Sequence, residues 1–134
     1  MLALTNLHAQ QLGHDHVSSE HFLLGALALG EGIGPGILSS AGLAKEQLRE
    51  HLANVGPTDE AVSNTYGVSG ERVFERANRH AVSLGHVELQ AEDMILAVLD
   101  ETDGGAARAM AHFGVDRLAT RQLLFQRMSD EPAA

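Results

Sequence analysis

The feature that most narrows what this chain can fold into is that it repeats itself. The stretch LGHDHVSSEHFLLGAL, Leu12 to Leu27, returns as LGHVELQAEDMILAVL, Leu84 to Leu99, with no gap at an offset of 72 residues. Six of the sixteen paired positions are identical, where unrelated sequence would give about one. The same offset pairs His8 with His80, Ala9 with Ala81, Gly42 with Gly114, Leu43 with Val115, Arg49 with Arg121 and Leu52 with Leu124. Two homologous modules of about fifty residues follow, and two copies suit a pseudo-symmetric pair rather than an open array.

Within each copy the apolar spacing is helical. Phe74, Ala77, Ala81 and Leu84 recur at three and four residues, which lines one face of a helix. The Leu-Gly-His turn then ends that helix, with Gly13 or Gly85 suited to a left-handed end cap. A second helix starts near Ser18 or Gln90 and runs through Phe22, Leu23, Leu24 and Leu27, or through Met94, Ile95, Leu96 and Leu99. It is apolar on more than one face and is expected to be the most buried element. Shorter helices follow around Gly36 to Ser40 and Ala106 to His112, closed by Gly42 and Gly114. A last amphipathic helix carries Leu48 and Leu52 in one copy and Leu118, Leu123 and Leu124 in the other. Phe22, Met94, Phe74 and Leu123 fall at core spacing. No stretch alternates with β-branched enrichment, so a sheet is not expected.

The reading is therefore all-α: two pseudo-twofold-related four-helix repeats. Residues 1–52 form the first, 53–70 a linker rich in Gly, Asn and Ser, 71–128 the second, and 129–134 a polar, frayed tail. The counterpart of Val73 in the first copy is Met1, so the first module opens with a shortened first helix. The long linker is either mobile or laid across the surface as a binding element. Its only tyrosine, Tyr66, either projects into a groove between the modules as a peptide anchor or packs the linker onto the core.

Composition removes several function classes. With 18 acidic against 9 basic side chains the formal charge is -9, which repels phosphate backbones, so no nucleic-acid partner is expected. Cysteine is absent, so disulfides and thiolate metal sites are excluded and a cytoplasmic location fits. The longest strongly apolar run, Phe22 to Leu29, is too short to cross a bilayer, so no membrane partner is expected. No Gly-x-x-x-x-Gly-Lys-Ser/Thr motif is present to bind ATP. Glu31 in the turn GEGIGPG, Gly30 to Gly36, would repel a phosphate. No Gly-x-Ser-x-Gly elbow supports hydrolysis, and the chain is not expected to be an enzyme. His14, His16 and His21 invite a metal reading, but His16 becomes Glu88 and His21 becomes Asp93 in the second copy. No metal or cofactor is therefore expected.

The pattern Leu-Gly-His-x-x-Val-x-Ser-Glu-His-x-Leu-Leu-Gly-x-Leu, followed by GEG at Gly30 to Gly32, resembles the N-terminal domain of Clp-type AAA+ unfoldases, especially the ClpC and ClpA branches. The second copy keeps Leu84, Gly85, His86, Glu92, Leu96 and Leu99, with Ala91 and Asp93 in place of the usual hydroxyl residue and histidine. The resemblance implies a mobile receptor for protein substrates or adaptor proteins, serving an AAA+ unfoldase ring in cis or in trans. The alternative is a free-standing relative that sequesters peptide-like ligands without an attached motor.

The resemblance also implies a ligand site. Glu20 and Glu92 fall in the first turns of equivalent helices, where the helix dipole by itself stabilises a carboxylate by about 0.3–1 kcal/mol. In some members of the family the corresponding glutamates bind phosphoarginine on proteins marked for degradation. A carboxylate accepts guanidinium hydrogens in a fork, while free N–H groups at a helix start hold phosphoryl oxygens. Ser18 and Ser19 add hydroxyls to the first site, whereas Gln90 and Ala91 weaken the second. Glu20 is accordingly expected to matter more than Glu92.

Overall fold

Each module's first helix stops at its Leu-Gly-His turn because glycine there reaches a conformation other residues avoid. The φ angle is +76° at Gly13 and +74° at Gly85. This turns the chain back so that His14 N–H donates to Ala9 O at 3.0 Å and His86 N–H to Ala81 O at 2.8 Å, satisfying carbonyls that the helix end would otherwise leave free. The computed structural model describes residues 1–130. In order they form α1 (Leu2–Gln11), α2 (Ser19–Leu29), α3 (Ile33–Ser40), α4 (Lys45–Val55), α5 (Val68–Ser83), α6 (Ala91–Leu99), α7 (Gly105–His112) and α8 (Arg117–Asp130). No helix among the described residues is by itself long and apolar enough to cross a membrane.

The core is built around α2 and α6. Phe22, Leu23, Leu24, Leu96 and Leu99 are at most 1% exposed, and α6 buries every residue from Asp93 to Leu99. The modules exchange partners: α2 packs against α7 and α6 against α3, while α3 lies on α8 and α7 on α4. The 72-residue offset maps each of these contacts onto its twin. The last helix turns a narrower face inward than its spacing suggested. Leu124 is buried, but Leu118 and Leu123 are 64% and 41% exposed, and Phe74 is only half-buried.

The connection between the modules is shorter than 53–70. α4 continues to Val55 and α5 begins at Val68, which leaves residues 56–67 outside helices. This segment is laid on the first module: Val17 N–H donates to Thr65 O at 2.8 Å, and Gly67 N–H donates to Val17 O at 2.9 Å. Tyr66 is half-buried, its ring 6.4 Å from Phe22 and 5.7 Å from Phe74 between centroids, so it packs the linker onto the core. Of the expected frayed tail, residues 129–130 complete α8 and residues 131–134 lie outside the described residues.

α2 also packs against α5, and this contact breaks the symmetry. α5 has sixteen residues and α1 ten. Positions 68–72 of α5 map ahead of residue 1 in the first module.

Candidate functional site

The first turns of α2, α5 and α7 meet in one cluster of side chains, and their N–H groups have no partners within their own helices. Three carboxylates sit among them. Glu20 is 0% and Glu101 5% exposed, and the Asp59 side chain is 18% exposed. Asp59 Oδ2 accepts the Ser69 N–H at 2.8 Å and the Ser69 hydroxyl at 2.5 Å, and its Oδ1 accepts the Ser18 hydroxyl. Ser19 N–H donates to Ser69 Oγ at 2.9 Å. The Ser19 hydroxyl donates to Glu101 Oε1 at 2.7 Å and accepts the Ala106 N–H at 3.0 Å. Glu101 Oε1 also accepts the Ala107 N–H at 3.2 Å. Two acids and three serines thus hold the starts of all three helices together.

Glu20 is held differently. Its Oε2 accepts the Thr58 hydroxyl at 2.5 Å, and its Oε1 is buried with no hydrogen-bond partner. Burial pushes the Glu20 carboxyl above the ordinary carboxylate range, against the hydrogen bond from Thr58, and burial does the same to Glu101. At Asp59 burial also opposes ionisation, but the hydrogen bonds from Ser18 and Ser69 together outweigh it and hold the group below its usual range. The cluster closes this tightly because glycines leave room. A Cβ at Gly105 would overlap Glu20 Oε1 and lie 2.7 Å from Thr58 Oγ1, and a Cβ at Gly104 or Gly67 would overlap Glu101 or Asp59.

Beside the cluster, His16 Nε2 lies 2.8 Å from Asp59 O and 3.3 Å from Asp59 Oδ1, and its Nδ1 lies 2.7 Å from Asp15. Burial would lower the His16 pKa, but the two acids together raise it. His14 and His21 serve the helix start. Ser18 N–H donates to His21 Nδ1 at 2.8 Å, which leaves His21 Nε2 to carry the proton and donate to His14 Nδ1, 2.8 Å away. Burial and the neighbouring His14 press the His21 pKa down to about 4. In the second module Gln90 N–H donates to Asp93 Oδ2 at 2.9 Å and His86 Nδ1 lies 2.9 Å from the same carboxylate. The His21-to-Asp93 change that looked like a cluster dissolving is one capping role filled by two residue types.

The second module offers the same geometry with less over it. Glu92 and Ala91 are half-buried and Gln90 is exposed. As Glu20 faces the start of α7, so Glu92 faces the start of α3, its Oε2 lying 3.4 Å from where a Cβ on Gly34 would be. The structure therefore gathers Ser18, Ser19 and Glu20 into one buried cluster, sets Glu92 at its pseudo-twofold mate, and sends Tyr66 to the core. Sequence reasoning missed Thr58, Asp59, Ser69 and Glu101. The adjacent Gly104 and Gly105 were the available signal, since a glycine pair opening a helix marks a close approach.

Residues 1–113 match the Clp repeat (R) N-terminal domain family. The chain is 32% identical over 128 residues to the negative regulator of genetic competence ClpC/MecB of Bacillus subtilis, covering 94% of this chain and 16% of that protein. It is 35% identical over 131 residues to the chaperone protein ClpB of Oceanobacillus iheyensis, covering 94% and 16% respectively. It thus spans about a sixth of the length of either relative. Among solved structures, the N-terminal domain of the caseinolytic protease associated chaperone ClpD from Arabidopsis thaliana superposes with a TM-score of 0.79 at 22% identity, covering 96% of this chain and 89% of that one. The Hsp104 N-terminal domain from Candida albicans gives 0.77 at 11% identity, covering 97% and 87%.

Proposed function

Since the chain belongs to the Clp repeat N-terminal domain family, we propose that it is a cytoplasmic receptor module that binds protein substrates or adaptors for an AAA+ unfoldase, and that phosphoarginine is the mark it reads. The observation that carries the finer part is the difference in cover between two equivalent glutamates. Glu92 stands half-buried at the start of α6, beside the glycine-opened start of α3. A carboxylate there can take a guanidinium in a fork, and the free N–H groups of a helix start can take the phosphoryl oxygens. Glu20 faces the start of α7 as Glu92 faces the start of α3, but it is sealed. In this conformation Glu92, and not Glu20, is the working site, the reverse of the ranking the hydroxyls of Ser18 and Ser19 suggested.

The test is a titration of the intact chain with free phosphoarginine, followed residue by residue through backbone amide shifts. Binding is expected at Gln90 to Asp93, abolished by Glu92→Ala and kept by Glu20→Gln. Equal affinity in the unmodified chain and both variants, or no binding in any of them, would remove the phosphoarginine reading.

A further inference from the structure

We infer that Thr58 and Asp59 of the linker are a built-in occupant of the first module's site, and that the linker must lift before Ser18, Ser69 and Glu20 can hold an external ligand. The chemistry of the two side chains carries this. Asp59 presents an anion to the Ser18 hydroxyl, the Ser69 hydroxyl and the Ser69 N–H, the donors a phosphoryl group would use at a helix start. Its neighbour Thr58 presents a hydroxyl donor to Glu20 Oε2, the oxygen a guanidinium N–H would use. Together, from adjacent positions in the chain, they present a paired anion and donor to the groups an external ligand would meet.

A second observation points the same way. Glu20 Oε1 is fully buried and lacks any partner, so Thr58 answers only half of what that carboxylate can accept. A forked guanidinium would answer both oxygens. Beyond its side-chain bonds the occupant is held by His16 Nε2, 2.8 Å from Asp59 O, and it adjoins an exposed stretch. Residues 60–65 are exposed, and the backbone ties of the linker to Val17 run through Thr65 and Gly67.

This inference rests on the proposed ligand class, and the experiment separates the two. The unmodified chain and Thr58→Ala/Asp59→Ala are each titrated with phosphoarginine, reading amide shifts at Ser18 to Glu20 and at Ser69 apart from those at Gln90 to Asp93. The linker variant is expected to bind at the first group at least about tenfold more tightly, with the second group unchanged. Equal binding at the first group in both proteins overturns the strap and leaves the phosphoarginine reading standing. If neither protein binds phosphoarginine at either group, that reading fails, and inorganic phosphate becomes the probe. Phosphate at Ser18 and Ser69 in the variant alone supports the strap; its absence there overturns it. Should the variant lose helical circular dichroism, hydrogen exchange in the unmodified chain decides. The amides of Val62 and Val68, bonded within the linker to Tyr66 O and Glu60 O, should exchange faster in saturating phosphoarginine, and unchanged rates overturn the strap.

Discussion

Gly25 and Thr5 make the contact on which the α1 to α2 packing turns. A Cβ on Gly25 would overlap Thr5 Oγ1 and lie 2.9 Å from both Thr5 Cα and Thr5 N, and Thr5 is itself 0% exposed. Because part of the obstruction is backbone, Gly25→Ala forces α1 outward, at about 1–3 kcal/mol for an overpacked core. Helix propensity returns at most about 1 kcal/mol, so a net loss of about 1–2 kcal/mol is expected. Thr5→Ala alone removes a buried hydroxyl and methyl group, and with them the hydrogen bond to Met1 O at 3.1 Å, a loss of about 1 kcal/mol. The 72-residue offset puts Ala77 and Ala97 at the equivalent positions of the second module, both 0% exposed. The double variant Thr5→Ala/Gly25→Ala therefore rebuilds in one module the pair that already works in the other. Urea denaturation of the four proteins should show the double variant more stable than the sum of the singles by about 1 kcal/mol, the relief of the Oγ1 overlap, while the contacts with Thr5 Cα and N remain. A double variant as unstable as the sum of the two singles would refute the claim that the modules pack this interface by exchanging residue sizes.

Lowering the pH should separate His21 from its surroundings. Its pKa is held near 4 in the fold against 6.5 for the free side chain, so the unfolded chain binds the proton first and stability is lost as the pH falls from about 6.5 to about 4, by at most about 3 kcal/mol. His16 is raised and works in the opposite direction. The measurement is therefore the pH slope of the melting temperature relative to His21→Asn, which keeps an acceptor for Ser18 N–H and should flatten the slope. At Glu20 the sign is reversed: a carboxyl raised by burial penalises the fold once it ionises. Glu20→Gln should thus melt no lower than the unmodified chain at pH 7, with the difference changing against it toward pH 4 in the same thermal scans. Gly105→Ala should lose about 1–3 kcal/mol because its Cβ overlaps Glu20. Gly36→Ala, in α3 with nothing within 4 Å, should gain up to about 1 kcal/mol, both read by urea denaturation.

The repeat made the helices legible because each Leu-Gly-His turn carries its own local instruction, a glycine able to reach positive φ followed by an amide that closes the helix. The central helices were legible because their apolar residues cover several faces. The site was not, because it is assembled from partners far apart in sequence. Asp59 meets Ser18 across 41 residues and Glu101 meets Ser19 across 82, and no local pattern encodes such a meeting. The expected ranking of Glu20 over Glu92 rested on hydroxyls that mark a good anion site in sequence and that are engaged by Asp59 and Glu101 in the fold. Leu123 was misassigned because Leu123 and Leu124 are adjacent and α8 turns only the second inward.

The crossed packing, in which each module's third helix covers the other module's central helix, means that half of this chain is not half of a stable protein. A severed module would leave one flank of its central helix in water, and only a second copy of itself could dry it. Joining the two through residues 56–67 replaces that chance encounter with a tether whose effective concentration is on the order of millimolar. The tether passes over the start of α2, however, so the covalent join that makes the pairing permanent also makes the twins unequal.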